Sequence, residues 1–98
     1  MRQKEKIKDT VIRTDVRAEG GYRYLYELIM RVSGELVSLR MPLYSVRVTL
    51  TDGENRASTA EIRDAFADAG RAIIFYEKIV RNLATPIDLS YIHEDDNF

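Results

Sequence analysis

The segment Tyr22-Arg23-Tyr24-Leu25-Tyr26-Glu27-Leu28-Ile29-Met30-Arg31-Val32 alternates strictly with a period of two. Tyr22, Tyr24, Tyr26, Leu28, Met30 and Val32 fall on one side and Arg23, Leu25, Glu27, Ile29 and Arg31 on the other. Side chains of a strand point alternately to opposite faces, so this pattern predicts a β-strand with one face in a core. Ser33-Gly34 after it predicts a tight turn. A second extended run is expected from Glu35 to about Thr51, interrupted at Pro42, which cannot donate to a sheet ladder. Beyond Pro42 the alternation resumes, with Tyr44, Val46, Val48 and Leu50 facing one way and Leu43, Ser45, Arg47 and Thr49 the other. Asp52-Gly53 is a hairpin signal, and a third strand should return antiparallel from about Asn55 to Ile62.

Helical periodicity follows. Ala69, Ala72, Ile73, Tyr76, Ile79, Val80 and Leu83 recur at spacings of three and four, with Asp64 or Asp68 as the N-cap. Thr85 and Asp88 have capping-box spacing with Pro86 at the first helical position, which predicts a short last helix seated by Leu89 and Ile92. The expected fold is α+β: a three-stranded antiparallel meander, extendable to four, covered on one face by a long amphipathic helix and a short C-terminal one. Residues 1–20 read as a basic, largely flexible arm in which residues 11–17 can form a weak strand, and 21–98 as a single domain.

Ninety-eight residues with a hydrophobic share of 45% supply one core rather than two. The absence of cysteine removes disulfides and thiolate metal sites, and suits a reducing cytoplasm. No apolar run follows the basic N-terminus, so neither secretion nor a membrane is expected. The net charge is −1, yet its distribution is uneven. Arg2, Lys4, Lys6, Lys8, Arg13 and Arg17 outnumber Glu5, Asp9 and Asp15 at one end, while Asp88, Glu94, Asp95 and Asp96 meet no base at the other.

The ending Thr85-Pro86-Ile87-x-Leu89-x-x-Ile92-x-Glu94-Asp95, preceded by an amphipathic helix and a small meander, resembles a family of short clostridial-type bacterial proteins classed as a domain of unknown function. That family's pattern has histidine where this chain has Asp88, often an acid at Tyr91 and an aliphatic at His93. The matched residues are the cap and apolar face of a helix. The resemblance therefore implies a bacterial cytoplasmic setting and a structural motif, and supplies no activity.

Candidate chemistry is sparse. His93 and Asp96, three residues apart among Glu94 and Asp95, are ligand types for a divalent cation, but a metal needs three or four convergent ligands, and these read as a solvated acidic tail. Nucleophile elbows and phosphate-binding loops are missing from the sequence, and Glu61 with Asp64 reads as a strand end and a cap rather than an acid/base pair. No enzyme, cofactor or metal is expected. Tyr22, Tyr24 and Tyr26 beside Arg23 could stack bases, with the basic arm on phosphates, which makes a nucleic-acid-binding module the alternative reading. The preferred one is a protein-interaction or self-associating module. Its surface is the outer sheet face, where Leu25, Ile29 and Leu43 lie among Arg23, Arg31 and Arg47.

Overall fold

The computed structural model describes residues 7–33 and 41–96. Four strands, β1 (Ile7–Glu19), β2 (Tyr22–Ser33), β3 (Leu43–Thr51) and β4 (Ala57–Phe66), form one antiparallel sheet in the order β1-β2-β3-β4. Two helices, α1 (Ala69–Arg81) and α2 (Pro86–Asp96), follow in the chain. The α+β meander expected from the alternation is present, with four strands rather than three. Segment 7–19 is accordingly no flexible arm, because it pairs with β2 from Ile7↔Ser33 to Glu19↔Tyr22. Residues 1–6, and most of the expected Ser33-Gly34 turn and Glu35 run, lie outside the described residues.

The turns explain the topology. Gly20 and Gly21 both have positive φ, 60° and 84°, and join Glu19 to Tyr22 as the two-residue type I′ turn whose twist matches a hairpin. Between β3 and β4 the loop is longer than the two residues that Asp52-Gly53 suggests. Thr51 pairs with Ala57, and Asp52 organises the intervening residues by accepting from the backbone N–H of Glu54 at 2.8 Å and of Arg56 at 3.0 Å. Those two donors hold its carboxyl below the usual range. Near the far end of β4 a bulge shifts the register from Val46↔Ile62 to Tyr44↔Phe66. Asp64, at φ 51°, sits in that bulge and donates its N–H to the buried Ser45 Oγ at 2.8 Å, so it belongs to the sheet and does not cap α1. Asp68 is the cap, accepting from Gly70 N–H.

Both helices pack on the face that carries Tyr26, Leu28, Tyr44, Val46 and Val48. The stripe of α1 is Ala72, Phe75, Tyr76, Ile79 and Val80, all buried. Phe75 replaces Ile73 of the expected stripe, and Ala69 is exposed. A helix ending with Asn82 as C-cap and Leu83 at φ 51° turns the chain, and Ala84 N–H donates to Ile79 O while Leu83 N–H donates to Val80 O. The capping box then starts α2 as predicted: Asp88 N–H donates to Thr85 Oγ1 at 3.2 Å, and Thr85 N–H to Asp88 Oδ2 at 3.1 Å. Leu89 is buried and Ile92 packs against the core.

Two buried tyrosines tie the layers together. The Tyr26 hydroxyl donates to the Ala84 carbonyl at 2.9 Å, fixing the α1–α2 connector to β2. From α1, the Tyr76 hydroxyl donates to Asp15 Oδ2 at 2.7 Å and lies 3.1 Å from the Tyr26 carbonyl, fixing the helix to β1 and β2. Arg13 completes this tie by stacking 5.3 Å over the Tyr76 ring and pairing with Glu77 at 2.8 Å. Burial pushes the Tyr26 phenol up to about 12 from 10.0 and raises that of Tyr76 further. A raised phenol contributes stability that is fully present below pH 10 and is lost as pH rises through the folded value, because the unfolded chain releases the proton first. Urea unfolding should therefore show stability falling steeply above pH 10. The Tyr76→Phe variant should flatten that fall, and at neutral pH should lose about 1–2 kcal/mol, the worth of a hydrogen bond to a charged group.

Candidate interaction surface

Strand pairing sorts the sheet into rows. On the helix side Arg13–Leu28–Val46–Ile62 and Asp15–Tyr26–Val48–Ala60 run from a charged β1 into the apolar core. The opposite face carries Val16–Leu25–Thr49–Thr59, Thr14–Glu27–Arg47–Glu61, Val11–Ile29–Ser45 and Asp9–Arg31–Leu43. Among the described residues the apolar core that the helices share with the sheet draws on the first face alone.

The six residues expected to form an interaction surface share this outer face, but they are not equally open. Ile29 is 4% exposed and Arg31 has a side chain 14% exposed, so both are interior to the face rather than presented by it. Arg31 Nε lies 3.2 Å from Asp64 Oδ1 and 3.4 Å from Asp9 Oδ1, and the Arg31–Asp64 contact lacks the alignment of a hydrogen bond. Arg47 is engaged too. Its Nε donates to Glu27 Oε1 at 2.8 Å, the bond that does most to raise the Arg47 pKa, and its Nη1 lies 3.5 Å from Glu61. Leu25 and Leu43 are half-buried, and Arg23 is exposed at the hairpin end.

The open aliphatic side chains of the sheet lie on β1, while Ile74 and Ile87 are more exposed still on the helices. Val11, Ile12 and Val16 of β1 are 44%, 45% and 55% exposed. The weak strand expected over 11–17 is part of β1, and the sequence signal for its full pairing is Gly20-Gly21 followed by a strand, a hairpin turn seen from its second half. A register shift between Val11 and Arg13 inverts the strand there, so that Val11 and Val16 share the outer face despite their odd spacing.

The other candidates resolve by position. Tyr22, Tyr24 and Tyr26 lie on the helix side; Tyr26 is fully buried and stacked beside Tyr24, so it is not available to a base. His93 is no part of a solvated tail. Its ring packs edge-on against Phe66 and Phe75 at 5.8 and 5.7 Å. The side chains of Glu94, Asp95 and Asp96 lie outside the described residues, among which no cluster of His, Asp and Glu could hold a metal ion. Glu61 takes part in the Arg47 row and Asp64 in the β4 bulge, on separate partners. Shallow concavities lie at the hairpin end, one lined by Gly20, Gly21, Tyr22, Asp52, Glu54 and Arg56, and Arg56 is paired there with Asp52 and Glu54. Among the described residues no helix is long and apolar enough to cross a membrane.

Compared with known protein families, curated proteins and solved structures, the chain has no match. Thr85 with Asp88 caps α2, and Leu89 and Ile92 seat it against the core.

The Glu27–Arg47–Glu61 row yields a direct test of the outer face. Arg47→Leu should leave two carboxylates facing one another and lower stability in urea titration at neutral pH by about 1–2 kcal/mol.

Proposed function

We propose that this protein is a non-catalytic, self-associating module of the bacterial cytoplasm that binds a second copy of itself along the margin formed by β1 and the adjoining outer face of β2. The observation that carries this reading is the concentration of exposed aliphatics at Val11, Ile12 and Val16, on an edge strand, while the aliphatics further into the face are shielded. An edge strand with open apolar side chains is a template for pairing with another chain.

The charge pattern favours a second copy over a partner of one sign. Asp9, Glu27, Glu61 and Asp64 on the outer face are matched by Arg23, Arg31, Arg47 and Arg63, and most of them are already paired within the face. A twofold interface sets a patch against itself, which a patch of single sign would resist and a balanced one does not. Support for a non-catalytic role comes from the fate of the candidate groups: His93 is packed among phenylalanines and the polar residues of the hairpin-end depression are paired with one another.

Sedimentation velocity across the micromolar range should show mass rising with concentration toward a dimer. Val16→Lys, at a site 55% exposed, should leave the melting transition unchanged and hold the protein as a monomer. A wild-type protein that stays monomeric up to high micromolar concentration would overturn the proposal.

A further inference from the structure

Beyond its bulge β1 reads Arg13-Thr14-Asp15-Val16-Arg17-Ala18-Glu19, seven residues in regular register with β2. Arg13, Asp15, Arg17 and Glu19 sit opposite Leu28, Tyr26, Tyr24 and Tyr22 and so share the helix side of the sheet, with charges in the order plus, minus, plus, minus. Turned antiparallel onto a copy of itself about Val16, this sequence is complementary at every charged position. Arg13 of each copy meets Glu19 of the other, and Asp15 of each meets Arg17 of the other. On the outer face Val16 meets Val16 and Thr14 meets Ala18.

We infer that two copies join edge to edge, β1 antiparallel to β1 with Val16 on the twofold axis, so that the four-stranded sheet continues across the interface into one of eight strands. This specifies the self-association proposed above and rests on it. β1 ends the strand order, so among the described residues its second edge carries no neighbour within the sheet. The opposite margin is a poorer template, because the bulge around Asp64 breaks the regular ladder of β4.

Charge selects the register. A slip of two residues, the smallest that keeps each side chain on its own face, sets Arg13 against Arg17 and Asp15 against Asp15 in one direction. In the other it sets Asp15 against Glu19 and Arg17 against Arg17. Opposite charges directly across a ladder stabilise it and like charges destabilise it, so both slipped registers are penalised where the centred one gains four favourable pairs. The side chains are placed to make them. Arg17 Nη1 donates to the carbonyl of its own neighbour Val16 at 3.0 Å and lies 3.8 Å from its own Asp15, a contact it can exchange for Asp15 of the second copy. Arg13 is held on the helix side by Glu77 and the Tyr76 ring while remaining 44% exposed. A twofold axis perpendicular to the sheet leaves all four helices on one face, away from the outer-face contact of Val16 with Val16.

Because the chain contains no cysteine, single cysteines report the register directly. Under mild oxidation Val16→Cys should give a disulfide-linked dimer, since directly opposed residues lie within the Cα separation a disulfide spans. Thr14→Cys should not, because each Thr14 faces Ala18 and lies about 13 Å along the strand from its own equivalent. Glu19→Arg sets like charges at both ends of the pair and should raise the dimer Kd about tenfold, an effect that shrinks with added salt. A wild-type dimer in which Thr14→Cys cross-links as readily as Val16→Cys, or in which neither does, overturns this register and leaves self-association standing. A wild-type monomer overturns both.

Discussion

The buried hydroxyl of Tyr76 is the constraint on which the rest of the structure depends. A phenol can be placed in a core only if its O–H finds an acceptor, and here the acceptor is Asp15, a carboxylate on a strand that carries almost nothing else to bury. That bond ties β1, already laddered to β2, to α1, and Arg13 strengthens the hold through the Tyr76 ring and Glu77. A segment whose composition suits solvent becomes the first strand of the sheet. Tyr26 repeats the logic at the other end of the core, where its hydroxyl meets the Ala84 carbonyl and fixes the connector between the helices.

Placing β1 by polar contacts rather than by apolar burial has a consequence for the surface. Its inward side chains are spent on charge and its Val11, Ile12 and Val16 are left open, so the exposed aliphatics of the sheet collect on an edge. The far margin differs: the Asp64 bulge, anchored through Ser45, interrupts the ladder of β4. Beyond its own bulge at Ile12 the β1 edge runs regularly from Arg13 to Glu19 with Val16 open on its outer side, whereas the β4 bulge lies near the end of the last strand. This asymmetry carries the reading of β1 as the contact margin and explains why Ile29 and Arg31, central in the face, are poor candidates for contact.

Much of the architecture was legible in the residues. Alternation from Tyr22 to Val32 and from Leu43 to Leu50 specifies the two central strands and their core faces, because a period of two has only one geometric meaning. Thr85, Pro86 and Asp88 specify the start of α2 through backbone groups that lie within three residues of them. Of the α1 stripe, Ala72, Tyr76, Ile79 and Val80 were legible, whereas Ala69 and Ile73 are exposed, Leu83 lies past the helix end, and Phe75 is buried against Phe66 and His93 instead. The contact margin was not legible, because Val11 and Val16 are odd in spacing and share a face only through the bulge at Ile12.

The sequence by itself determined the local elements: hydrophobic period, caps and turn residues act over a few neighbouring positions, and their physics is complete within that span. Tertiary structure alone decided that the weak strand expected over 11–17 extends to 7–19, that His93 packs among phenylalanines, and that Ile29 is interior while Val16 is open. Each of these depends on a partner far along the chain, Asp15 on Tyr76 and His93 on Phe66. Such partners satisfy a hydrogen bond or fill a space that no window of sequence contains.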